Sequence, residues 1–409
     1  MGEILRSADM VAVASHQLAQ CISGHAWNVD LTMIAVCTNN EVHIYNASPA
    51  PSAVWDRLHV LQKHDQLVSG VDWAPVSNYI VTVSHDRNSY VWKLEENVWQ
   101  PTLVILRINR AAISVKWSPR ENKFAVASGA KSVCVCYYEE DNNWWVSKII
   151  RKKHGSTVTG VAWHPNNVVF FCFQLYEPYA KRSFRLQVLL ATTSTDCKCR
   201  IFSAYIKGVD SRSAATTTFG EIRFGEQLVQ LDLALGWAFG VKWSPSGRSL
   251  AYVGHDSTIH FIDDVGPSPI AQTLALRDLP LRDVLFLSEK RLVAGGFDCN
   301  PMLFASDDTG TWNFVRFLDE GKTPASDVKA STQFSEAFGK FYGQAKRGVA
   351  TESPSSAPGT YHNNCITLLN PLAPPGEQEI RKFSTSGMDG KVVIWDMSTI
   401  SDALARLGM

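Results

Sequence analysis

Residues 68–94, VSGVDWAPVSNYIVTVSHDRNSYVWKL, hold three short apolar runs separated by turn residues. Val71 and Trp73 alternate with polar neighbours and stop at Ala74-Pro75. Tyr79 to Val83 form a second run that ends at His85-Asp86-Arg87-Asn88, and Tyr90 to Leu94 form a third. Alternation, β-branched and aromatic content, and Pro or Asp/Asn punctuation predict three consecutive antiparallel strands. A meander of this size exposes apolar faces that one sheet cannot bury. It needs copies of itself.

The chain supplies them. Trp73 precedes Asp86 by 13 positions, and Asp86 precedes Trp92 by six. Trp243-Ser-Pro, Asp256 and Ile262 repeat the same 13 and six, and Phe286, Asp298 and Phe304 give 12 and six. Trp163-His-Pro leads to Asp196 and Phe202. Trp117-Ser-Pro leads to Ala130 and Tyr137, with the turn aspartate replaced, and Trp27 leads to Tyr45 through Asn39-Asn40. Asp389 to Trp395 closes the series. Seven copies at about 40–45 residues, with a Trp-Asp signature, predict an all-β, seven-bladed WD-repeat β-propeller of four strands per blade, taken as a single domain over residues 1–409.

In the second copy His64, Thr82, Asp86 and Trp92 are placed to form a structural tetrad. It would be a hydrogen-bonded chain from loop to turn to indole that leaves no buried polar group unpaired. This is fold chemistry, not catalysis. The Gly24-His25 pair does not belong to the pattern, since His25 lies two residues before Trp27 whereas His64 lies nine before Trp73.

Composition fits a large soluble globule: 45% of residues are hydrophobic, and 39 basic side chains balance 39 acidic ones. Zero net charge argues against nucleic acid as a partner, which needs a basic footprint. No apolar run is long enough to cross a membrane, so no membrane insertion is expected. Nine cysteines show no disulfide spacing. Cys134/Cys136 and Cys197/Cys199 read as strand residues and small buried hydrophobes, which suits a reducing, cytoplasmic setting.

Three segments depart from the repeat. In the fourth copy Trp163 to Asp196 is 33 residues, an excess of 20. Removing Val168 to Gln187 restores the frame. The segment reads either as a protrusion from the blade or as a translated intron, since valine can encode a leading GT and glutamine a trailing CAG; the intron reading is preferred. Residues 207–234 read as a surface connection. Residues 305–364 separate the sixth and seventh copies, too many for a blade turn. Within them Phe334, Phe338, Phe341 and Tyr342 recur at i, i+4, i+7 and i+8, one face of a helix spanning 330–344. That helical insert between blades 6 and 7 is read as projecting, its aromatics forming a partner-binding face. Residues 398–409 read as a short C-terminal helix.

No catalytic constellation is present: no HExxH, no GxSxG, no GxGxxG after a strand. No cofactor or metal site is read. Ser128-Gly-Ala-Lys131-Ser132 resembles the tail of a phosphate loop but lacks the glycine spacing. Lys148-Ile-Ile-Arg-Lys-Lys-His154 carries four cations, read as edge-strand protection with an acidic partner segment as the alternative.

Certain segments are not propeller requirements: PTLVILRINRAA at 101–112 and CRIFSAYIK at 199–207, beside HAWN at 25–28, DRNSYVW at 86–92 and GMDGKVVIWD at 387–396. On these the chain resembles the WD-repeat subunits of the actin-related protein 2/3 complex over nearly its whole length. The resemblance implies a non-catalytic scaffold supporting nucleation of branched actin filaments. It implies the other subunits of the complex, the actin filament and nucleation-promoting factors as partners, with the blade 6–7 insert directed toward filament and activator. The competing class is a general WD-repeat adaptor, such as a ubiquitin-ligase substrate receptor. Co-purifying partners distinguish the two.

Overall fold

The computed structural model describes residues 12–47, 54–165, 188–211, 216–217, 220–266, 269–319 and 361–398. Seven four-stranded antiparallel sheets follow one another along the chain, with one additional two-stranded hairpin. Blade 2, the founding stretch, takes Val68–Trp73, Ile80–Ser84, Asn88–Glu95 and a fourth strand, Val98–Ile105. Its inner strand ends at Trp73, which pairs with Ile80, and Ile80 pairs with Trp92.

The same register recurs around the ring. The pairs Trp27↔Ile34, Trp117↔Phe124, Trp163↔Leu190, Trp243↔Leu250 and Pro371↔Phe383 each end an inner strand, and Phe286↔Leu292 lies two residues before the end of its own. The four tryptophans of blades 2–5 are therefore equivalent, and proline takes the place in blade 7. In blade 3 Phe124 pairs with Cys136, so Cys136 and not Tyr137 occupies the Trp92 slot. The six-residue spacing from Ala130 holds there, and Tyr137 packs in the next interface.

The core is a ring of interfaces. Each of seven apolar clusters joins neighbouring blades: Ala35, Val42 and Ile44 of blade 1 meet Val71, Trp73 and Trp92 of blade 2, and the pattern repeats to the cluster of blades 7 and 1. Side chains alternate across a strand, so the middle strands bury both faces, which is why Ile80–Ser84 is buried throughout. Toward the axis the inner strands approach so closely that a Cβ on Gly240 would sit 2.6 Å from the Asp283 Cα of the next blade. Only glycine fits there.

Closure uses both ends of the chain. Ala12–Gln17 pairs with Lys391–Asp396 as the outer strand of blade 7, whose other strands are Ile366–Pro371 and Lys382–Gly387. The ring is thus latched by hydrogen bonds between residues far apart in sequence, and no blade edge is left open at the seam.

Both long connections are shorter than their spacing suggests. Gln227–Leu231 is the outer strand of blade 4, and Trp312–Phe317 is that of blade 6. Blade 4 pairs in the common register across the excess segment, with His164 N–H donating to the Leu189 carbonyl at 3.0 Å as Ala74 N–H donates to Tyr79 at 2.8 Å. Residues 168–187, the helix expected at 330–344 with Phe334, Phe338, Phe341 and Tyr342, and residues 399–409 lie outside the described residues. Cys197 lies in a turn with φ +67°, not in a strand; Cys134, Cys136 and Cys199 are buried in strands.

Candidate functional site

Two sets of polar side chains stand inside this frame. The first is the tetrad. His64 Nδ1 lies 2.8 Å from Asp86 Oδ2, His64 Nε2 lies 2.9 Å from Thr82 Oγ1, and Trp92 Nε1 donates to Thr82 Oγ1 at 3.0 Å. The carboxylate accepts from Nδ1–H. The threonine hydroxyl then donates to Nε2 while it accepts from the indole, so neutral histidine satisfies every group. Burial lowers the His64 pKa against the pull of Asp86, consistent with that form.

Blade 7 holds a second complete tetrad: His362 Nδ1 is 3.1 Å from Asp389 Oδ2, His362 Nε2 is 2.8 Å from Thr385 Oγ1, and Trp395 donates to Thr385 at 2.9 Å. The sequence spacing hides it. His362 precedes Asp389 by 27 residues, against 22 in blade 2. The five extra residues fall in the turn between Pro371 and Phe383, which spans 12 positions where Trp73 to Ile80 spans seven. Blade 4 substitutes Arg200, which bonds His154 Nδ1 at 3.2 Å and Asp196 at 2.9 Å, while Phe202 fills the tryptophan slot. In blade 6 the Asp298 Oδ2 is buried with no partner among the described residues, and burial, then Asp278, push its pKa up to about 6.

A buried ion pair joins blade 3 to the connection after Phe202. Lys123 Nζ donates to both oxygens of Asp210, and neither side chain is exposed. Asp210 also accepts the Ile206 N–H at 2.7 Å. Burial pushes Lys123 down to about 8, against the pull of Asp210.

The second set lines the channel. At the end marked by the aromatic ring, the residue before each of those paired positions faces a cavity of about 460 Å³: Ala26, Asp72, Lys116, Ala162, Lys242, Leu285 and Asn370, one per blade. Lys116 pairs with Asp72 Oδ1 at 2.8 Å, and Asp72 Oδ2 accepts the Trp117 N–H at 2.7 Å. Trp163 and Trp243 donate their indole N–H to the Lys116 and Ala162 carbonyls of the preceding blades, at 2.9 and 3.1 Å. Burial lowers the Lys242 pKa. His25, fully buried, spans Ser384 at 2.8 Å and Ser386 at 2.9 Å between blades 1 and 7, and burial, then Lys116, drive its pKa to about 3. These contacts hold strand ends together, and the Ser384 and Ser386 hydroxyls beside His25 are fully buried. Among the described residues no group of three or more His, Cys, Asp or Glu side chains is placed to hold a metal.

The family model for the WD domain, G-beta repeat, matches residues 55–93 and 146–203. Actin-related protein 2/3 complex subunit 1A of Arabidopsis thaliana is 58% identical, covering 97% of this chain and 100% of that one. Subunit 1A-A of Xenopus laevis is 44% identical over 96% of this chain and 98% of its own. Subunit 1 of Schizosaccharomyces pombe is 36% identical over 91% and 96%. Relatives so similar from end to end, on a closed seven-bladed ring, mean that the chain belongs to the family of actin-related protein 2/3 complex subunit 1.

Proposed function

We propose that this chain is the propeller subunit of an actin-related protein 2/3 complex: a non-catalytic, cytoplasmic scaffold that contacts the actin filament and nucleation-promoting factors and supports branched nucleation. The observation that carries the reading is identity of 58% to 36% with subunits so named, over at least 91% of the chain. The polar side chains support it. The two complete tetrads bond histidine, threonine, aspartate and tryptophan within a blade, and Trp163 and Trp243 bond the backbone of the preceding blade, as a rigid platform requires. A scaffold of this kind acts through its surface. The aromatic series Phe334, Phe338, Phe341 and Tyr342 is proposed as the filament- or activator-contacting face, because four aromatics on one helical face bury enough area to anchor a partner.

The test is affinity purification of the tagged full-length chain from its own cells. The proposal expects the remaining subunits, actin-related proteins 2 and 3 among them, in equal amounts. Recovery of ubiquitin-ligase components in their place would establish the adaptor reading.

A further inference from the structure

Lys116, Lys123, Arg200, Arg248, Lys290 and Arg291 each contact a carboxylate within 2.9 Å. One region gathers several cations that make no such pair. A cleft of about 530 Å³ on blade 3 is lined by Arg107, Lys131, Arg151 and Lys152, together with Asn109 and Ser132, and no carboxylate lines it. All four cations are exposed, and none makes an ion pair among the described residues. Arg110 adds a fifth charge, its stem lying 3.3 Å from the position a Cβ on Gly129 would take.

Three chain segments converge here: the connection from blade 2, the turn Gly129-Ala130-Lys131, and the connection to blade 4. The turn position that carries aspartate in blades 2, 4, 5, 6 and 7 is Ala130, so the negative charge at this corner of a blade is missing in blade 3 alone among those six. The turn carboxylate of blade 4, Asp196, is committed to Arg200 at 2.9 Å and to the Gly155 N–H at 2.7 Å. Arg107, Lys131 and Lys152 all have φ +57°, a conformation that glycine or asparagine adopts at less cost. The chain places long cations there instead.

We infer that this cleft binds a small polyphosphate anion, of the class of an inositol polyphosphate, free or as a lipid headgroup. Its volume is within the roughly 300–1,000 Å³ of ligand pockets. Two guanidinium forks and two ammonium groups on converging walls suit several phosphates held close together. An acidic peptide is disfavoured by the lining, which has no exposed aromatic side chain to anchor an interface.

The test uses the purified full-length chain at about 150 mM salt, because phosphate contacts weaken steeply as salt rises. Calorimetry with inositol hexakisphosphate should give one site. Arg151→Gln and Lys131→Gln should each weaken it about tenfold with melting unchanged, since both side chains are exposed and unpaired. Lys290→Gln, at a paired surface cation elsewhere, should not change it. Vesicles containing phosphatidylinositol 4,5-bisphosphate, against phosphatidylserine vesicles of equal charge, distinguish the sources. Capture by the former alone, lost in the same variants, assigns a headgroup, whereas binding of the soluble anion without capture assigns a free ligand. The inference is overturned if neither probe binds, if Lys290→Gln loses as much as Arg151→Gln, or if polyglutamate outcompetes inositol hexakisphosphate.

Discussion

Replacing Lys123 by methionine tests whether the ring depends on its buried ion pair. Methionine keeps the length and apolar stem of lysine but leaves Asp210 with no cation, in a place where neither side chain reaches water. An uncompensated buried charge of this kind costs about 3–5 kcal/mol. The Ile206 N–H still bonds the Asp210 carboxylate and moderates the loss. Asp210→Asn performs the converse experiment: it retains an oxygen for Ile206 while stranding the ammonium, and should cost a similar amount. The double variant Lys123→Met/Asp210→Asn carries no charge at all, so it should be less destabilised than the sum of the singles by about 3 kcal/mol. Thermal unfolding at pH 7 reads the series. A cost of 3–5 kcal/mol corresponds to a drop of roughly 6–20 °C at about 2–4 °C per kcal/mol, with the lower end favoured for a chain of this length. Additive losses in the double variant, or a Lys123→Met protein that melts within about two degrees of wild type, would show that the pair does not couple the blades.

Trp92→Ala should cost about 3–5 kcal/mol by cavity formation, since Trp92 is 2% exposed and its N–H holds Thr82; unchanged melting would remove the tetrad's structural role. Acid should destabilise the ring. Burial holds His154, His164 and His260 at about 4 in the fold, against about 6.5 in the unfolded chain. Their native pKa values are depressed, so stability is full above about pH 6.5 and falls as pH drops toward 4, by of the order of 2–3 kcal/mol per histidine; a flat urea midpoint across that window contradicts their neutral burial. Deleting residues 168–187 should leave melting unchanged or raise it, because the strands on either side already pair in the common register. The native message tests the intron reading separately, and presence of those codons in all messages ends it. Phe338→Asp in the assembled complex should reduce branch density at constant activator with melting and assembly intact, since a charge at an interface centre is desolvated without a partner. Normal branching would remove the role proposed for residues 330–344.

The sequence by itself determined the number of blades and the register of most of them. A tryptophan, a turn aspartate and an outer aromatic recur at spacings of 13 and six because each marks a fixed point on the same strand pair, and local pairing needs no distant partner. The blade 2 tetrad was legible for the same reason, since its four residues lie within one hairpin and the loop leading into it. Where the turn lengthened, legibility failed. Five added residues before Phe383 concealed His362 and Thr385, although the folded geometry matches that of His64 and Thr82. Only the tertiary structure decided the latch of Ala12–Gln17 on Lys391–Asp396, the pairing of Lys123 with Asp210, and the gathering of Arg107, Lys131 and Arg151 around one cleft. Each depends on residues brought together by closing a ring, and ring closure is a property of the summed twist of seven sheets that no single repeat displays.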